Sequence, residues 1–126
     1  MNLDAKQKVL LAIYIEYQKD VSDMNLLSSV AVDIDDTSFC VALNKLQSEN
    51  LISGLKLHFK SNEPYPIDAN TKLIQMTRHG IRFVEEKMQL DKFLSGKEKL
   101  TLLQGKFSDL GWTVLQDLVT KALAEI

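Results

Sequence analysis

Cysteine, proline and glycine are all scarce in this chain: one Cys, two Pro and five Gly among 126 residues. A lone cysteine, Cys40, forms no internal disulfide and supplies too few ligands for zinc, so neither device holds the fold together. A reducing, cytoplasmic setting is the expectation. The glycines, Gly54, Gly80, Gly96, Gly105 and Gly111, are scattered, and no glycine-rich loop exists to cradle a phosphate. No apolar run approaches the ~18 residues that a membrane helix requires, so no membrane span is expected. The opening Met1-Asn2-Leu3-Asp4-Ala5-Lys6 lacks a basic patch followed by an apolar stretch, and no secretory signal is expected. His58 and His79 have no Cys or Ser motif near them, and Asp33-x-Asp35-Asp36 lacks the Gly and distal Glu of a calcium loop. Catalysis, cofactors and metals are therefore not expected.

What is present suits one ordinary globular core: 45% hydrophobic and 25% charged residues, too apolar for a disordered chain. A formal net charge of −2 argues against non-specific coating of nucleic acid or anionic lipid. The charge is unevenly placed, however. Residues 1–36 carry −4, residues 37–60 carry +2, and the two later segments balance.

Periodicity predicts a first helix over about Asp4–Lys19, with Leu10, Ile13, Tyr14 and Tyr17 on one stripe and Leu11 and Ile15 on the opposite side. A helix apolar on two faces needs covering twice, by its own chain or by a partner. A short second helix over about Asp23–Val30 precedes the acidic Val32-Asp33-Ile34-Asp35-Asp36, where Asp35 or Asp36 caps a third helix running to about Asn50. The third helix buries Phe39, Ala42, Leu43 and Leu46; its other side shows small, polar residues with Lys45 the only charge. Alternation from Leu55 to Lys60 predicts a strand, Ser61–Asn70 a long loop, and Lys72–Met76 a returning strand. Thr77 caps a fourth helix over about Arg78–Leu90. Beyond Asp91 the pattern loosens, with one helical turn over Lys99–Leu103 and a last helix from a Ser108 cap to about Glu125. The apolar residues of that helix cover nearly half its circumference, which points to a subunit contact.

The order helix–helix–helix–strand–loop–strand–helix is that of a winged helix-turn-helix domain. Met76-Thr77-Arg78-His79-Gly80 resembles the Leu-Thr-x-x-Gly that joins the final wing strand to the next helix in many bacterial winged-helix proteins. Asn44–Ile52 resembles the end of a recognition helix entering the first wing strand. Regulators of the MarR and PadR types share this pattern, but residues 1–90 as a whole resemble the YjcQ family, small bacterial and often phage-associated proteins. The resemblance implies a winged-helix domain over 1–90 and does not extend past it. With the helical pattern of the tail, the expected fold is α+β, mainly helical, with a C-terminal helical extension over 91–126 whose apolar last helix is expected to dimerise.

For a DNA reader, the expected base and phosphate contacts on the third helix are Thr37, Ser38, Val41, Asn44, Lys45 and Ser48. Lys56, His58 and Lys60 on the first wing strand and Lys72 on the second add phosphate contacts. The expected homodimer interface comprises Leu11, Ile15, Trp112, Leu115, Val119, Leu123 and Ile126. Double-stranded DNA and a second copy are thus the expected partners, and a small transcriptional regulator the expected function. The alternative is a winged-helix protein-interaction module that never touches DNA, which the acidic first third favours.

Overall fold

The computed structural model describes residues 2–126, apart from the side chain of Ile67. Six α-helices and four short strands are present among the described residues: α1 (Ala5–Tyr17), α2 (Ser29–Val32), α3 (Asp36–Ser48), β1 (Ile52–Ser53), β2 (Lys56–Phe59), β3 (Pro66–Asn70), β4 (Gln75–Met76), α4 (Arg78–Met88), α5 (Gly96–Leu110) and α6 (Thr113–Ala124). The chain is α+β and mainly helical.

α1 is the hub. Asp4 starts it with a capping box shared with Gln7, and every residue from Val9 to Glu16 is buried. One side packs on α3, α4 and β4, and the other on α2 and α6. The two-faced helix is therefore covered by its own chain. Its polar side chains are paired accordingly. The Tyr14 hydroxyl donates to Glu85 Oε2 at 2.8 Å, and Lys99 Nζ reaches the same oxygen at 2.7 Å. Burial, followed by the Glu85 hydrogen bond, pushes the Tyr14 pKa far up, which keeps the hydroxyl a donor. At the helix's other end Lys19 bridges Glu16 at 3.0 Å and Glu125 at 2.5 Å. Burial works against that ammonium, but the hydrogen bonds to Glu125 and Glu16 reverse the effect and raise its pKa.

Several expected boundaries shift. The second helix is instead a 3₁₀ turn over Met24–Leu26, opened by Asp23, and then the single-turn α2, capped by Ser28. α3 stops at Ser48 because Asn50 turns left-handed (φ 62°) and Leu51 N–H bonds back to Leu46 O. The expected loop over Ser61–Asn70 contains a strand: β3 pairs antiparallel with β2, Leu57 facing Ala69 and His58 facing Asp68. The returning strand shrinks to Gln75–Met76, which pairs with β1 through Ile52 and Met76. Lys72 consequently lies in a turn between β3 and β4.

The largest difference is α5, a 15-residue helix where only one turn was expected. Ser95 and Glu98 form a capping box, and Leu100, Leu103 and Phe107 bury its inner face. Ser108 therefore lies inside α5, and α6 begins after Gly111 (φ 71°) and Trp112. α6 packs against both α5 and α1, and a helix with two neighbours needs a wide apolar arc. This accounts for its half-apolar circumference without a second subunit. The expected dimer interface is corrected accordingly: Leu11, Ile15, Leu115 and Val119 are 7%, 2%, 1% and 0% exposed within the single chain. Trp112 and Leu123 are half-buried, and Trp112 packs on Phe107 with ring centroids 5.7 Å apart. Ile126 alone of the seven is exposed, at 42%.

Two glycines give opposite predictions. A Cβ on Gly80 would stand 2.0 Å from the Leu51 carbonyl oxygen, whereas one on Gly105, inside α5, meets nothing within 4 Å. Gly80→Ala is expected to destabilise by forcing α4 away from β1, and Gly105→Ala to stabilise by about 1 kcal/mol through helix propensity. Urea unfolding curves measure both. Lys99→Met strands a buried carboxylate beside Tyr14 and is expected to cost about 3 kcal/mol, with part recovered in the Glu85→Gln/Lys99→Met double variant.

Candidate nucleic-acid interface

α3 owes its start to Asp35, whose carboxylate accepts from Ser38 N–H at 2.9 Å. Hydrogen bonds from the Ser38 side chain and then its backbone hold the Asp35 carboxyl below the usual range. The neighbouring Asp36 carboxylate accepts from the Ser29 hydroxyl, tying α3 to α2. These acids shape the backbone around the start of α3, as does Asp33, which ends α2 in a left-handed conformation (φ 57°).

Helical spacing gathers the six expected α3 residues on one side. Thr37, Lys45 and Ser48 are exposed, while Ser38, Val41 and Asn44 are half-buried. β3 packs beside this helix. The hairpin is held there by Gln47: its Oε1 accepts from Leu55 N–H at 2.9 Å and its Nε2 donates to Leu55 O at 3.4 Å. Lys56, His58 and Lys60 are all exposed, and Leu57 is the half-buried residue between them that packs on the core. Lys72 is exposed too, but in its turn rather than on a strand.

The charges divide along this surface. Asp68 faces His58 across the hairpin and also acts on Cys40 near the start of α3. With Asp33, Asp35 and Asp36 it makes the end near the N-terminus of α3 acidic. Lys45, in the last turn of α3, and Lys56, next to the Leu55 that Gln47 holds, lie toward the other end, while Lys60 lies past the His58–Asp68 pair toward the tip of the hairpin. The Cys40 side chain is buried, and burial first, then Asp68 and Asp36, push its thiol up. A thiol so placed is a packing residue rather than a reactive one.

Composition and spacing did not reveal Gln47 as the brace of the hairpin or Asp68 as a fourth acid beside α3. The Gln47 bonds go to the Leu55 backbone, which periodicity does not register, and the place of Asp68 depends on β3, whose residues Pro66-Ile67-Asp68-Ala69-Asn70 carry loop chemistry. The small polar face, the cations of β2 and the braced hairpin together offer hydrogen-bonding groups for base edges and ammonium groups for phosphates.

No helix of the described residues is long and apolar enough to cross a membrane. The chain is a small α+β, mainly helical protein. The family model described as YjcQ protein matches residues 8–100, and the chain belongs to that family. The matched region ends in the first turn of α5, just past Lys99, the residue that closes the Tyr14–Glu85 pair. No curated protein and no solved structure matches the chain.

A carboxyl with a lowered pKa stabilises the folded chain above the ordinary carboxylate pKa, and loses that effect as pH falls through its lowered value. Asp35→Ala is therefore expected to lower Tm at neutral pH, with the gap to the parent chain narrowing in acid. Thermal melts across that pH range check the sign.

Proposed function

We propose that this chain is a winged helix-turn-helix protein that binds double-stranded DNA and acts as a small bacterial or phage-associated transcriptional regulator in the cytoplasm. α3 is its reading helix and β2–β3 its wing. The observation that carries the reading is the hairpin held to α3 by the two Gln47 hydrogen bonds, with β3 beside the helix and Lys56, His58 and Lys60 exposed along and just past the other strand, β2. Asn44 suits an adenine edge, Lys45 a guanine or a phosphate, and Thr37 and Ser48 either bases or phosphates. Ser38 and Val41 complete that face. Val41 suits a thymine methyl, and Lys72 reaches toward backbone from the turn after the wing.

One copy brings few cations, so we propose that two copies occupy one site, doubling the phosphate contacts. Since the α1–α6 seam is closed within each chain, pairing uses other surface, with Ile126 the one exposed member of the expected interface.

The acidic cluster of Asp33, Asp35, Asp36 and Asp68 favours the second reading, a winged-helix module that binds a protein partner. Salt separates the two. DNA affinity is high at low salt and falls steeply toward moderate salt through counterion release, whereas a module that binds only protein shows no duplex affinity even at low salt. Selection from random duplexes is expected to enrich a defined site at a stoichiometry of two chains. Asn44→Ala and Lys45→Ala each weaken binding by about 1–3 kcal/mol, Asn44→Ala with relaxed sequence preference. Unchanged affinity in both variants rejects α3 as the reader.

A further inference from the structure

A groove of about 1050 Å³ opens between the N-terminal half of α1, α4 and the corner where α5 meets α6. We propose that it binds a small organic molecule with an apolar body and one anionic group. This inference is independent of the DNA reading. The volume is of the size that small-molecule sites reach. The floor is made of core side chains: Leu10, Leu46, Leu51 and Val84 are 5%, 0%, 5% and 2% exposed. Two large apolar side chains line the groove yet stay open to solvent, Phe83 at 39% and Leu110 at 44%.

Shape favours a small occupant over a second chain. A stable symmetric pairing buries about 800 Å² per partner across mutually fitting surfaces. This concavity presents two exposed large apolar side chains, fewer than an interface of that size uses.

Charge specifies the occupant further. The acids at one end are engaged: Asp4 caps α1, and Glu49 pairs with Lys6 at 2.9 Å. At the other end Lys87 and Lys106 join no ion pair among the described residues. Lys87 Nζ stands 5.8 Å from the centroid of the Phe83 ring, and Lys106 Nζ donates to the Met88 carbonyl oxygen. Asp109 is the acid in the lining that opposes them. An apolar body against Phe83 and Leu110 thus places an anionic group near two ammonium groups that lack a carboxylate partner.

The probe pair is 8-anilinonaphthalene-1-sulfonate and its uncharged counterpart N-phenyl-1-naphthylamine, titrated by fluorescence into the full chain. Saturable binding at one site, tighter for the sulfonate, is expected. Lys87→Ala should weaken the sulfonate about fivefold and leave the neutral dye unchanged. Phe83→Ala should weaken both. Both side chains are exposed, and an unchanged near-ultraviolet circular dichroism spectrum verifies that each variant keeps its packing. Equal affinity for the two dyes, binding that does not saturate, or indifference to Phe83→Ala overturns the proposal. So does sedimentation as a dimer that Phe83→Ala dissociates, which makes a second copy the occupant. Loss of DNA binding in Asn44→Ala with dye binding intact leaves this site standing and separates the two readings.

Discussion

Everything in this molecule is arranged around a helix that has no outside. From Val9 to Glu16, α1 is buried at every position, so each of its faces requires a neighbour, and the neighbours come from both halves of the chain. α3 and α4 supply one wall and α6 another. Burial of this kind stabilises through apolar area, but it also imposes conditions on the polar atoms carried inside. Tyr14 meets Glu85 and Lys99, and Glu16 meets Lys19 and the Asp23 amide. These polar contacts decide how α4, α5 and the C-terminal end are docked, because a buried charge tolerates few geometries.

With α1 fixed, the exposed elements are set in place from behind. α3 buries Phe39, Leu43 and Leu46 and keeps its small polar side outward. Gln47 then carries the constraint from α3 to the hairpin through the Leu55 backbone. A surface assembled this way has its shape determined by the core and its chemistry by residues that the core leaves alone. The uneven charge of the chain is resolved spatially in the same manner. Much of the acid of residues 1–36 that lies near α3 is engaged in helix ends, at Asp33, Asp35 and Asp36.

Legibility followed the strength of local signals. α1, α3 and α4 were readable because their apolar periodicity is long and their caps, Asp4, Asp35 and Thr77, are strong. The polar side of α3 was readable for the same reason. β3 was hidden because Pro66, Asp68 and Asn70 favour turns, and its pairing comes from Leu57 and Ala69 meeting the core. α5 was obscured by Gly105 and by a polar stretch, although Ser95-Gly96-Lys97-Glu98 is a capping box in plain view. Missing that helix turned the wide arc of α6 into evidence for a second subunit. The Tyr14–Glu85–Lys99 contact was beyond reach, since nothing local links positions 71 and 14 residues apart.

The closure of α1 by α6 also has a meaning in time. Translation proceeds at about 5–20 residues per second. α1 ends at Tyr17, while the α6 residues that cover it, Leu115, Val119 and Ala122, are added roughly a hundred residues later. For several seconds of synthesis the nascent chain carries the most extensively buried helix of the fold without its final wall. α1 is made well before the α6 that seals it, so the interval between the two is when this fold is most exposed to aggregation and to chaperone capture.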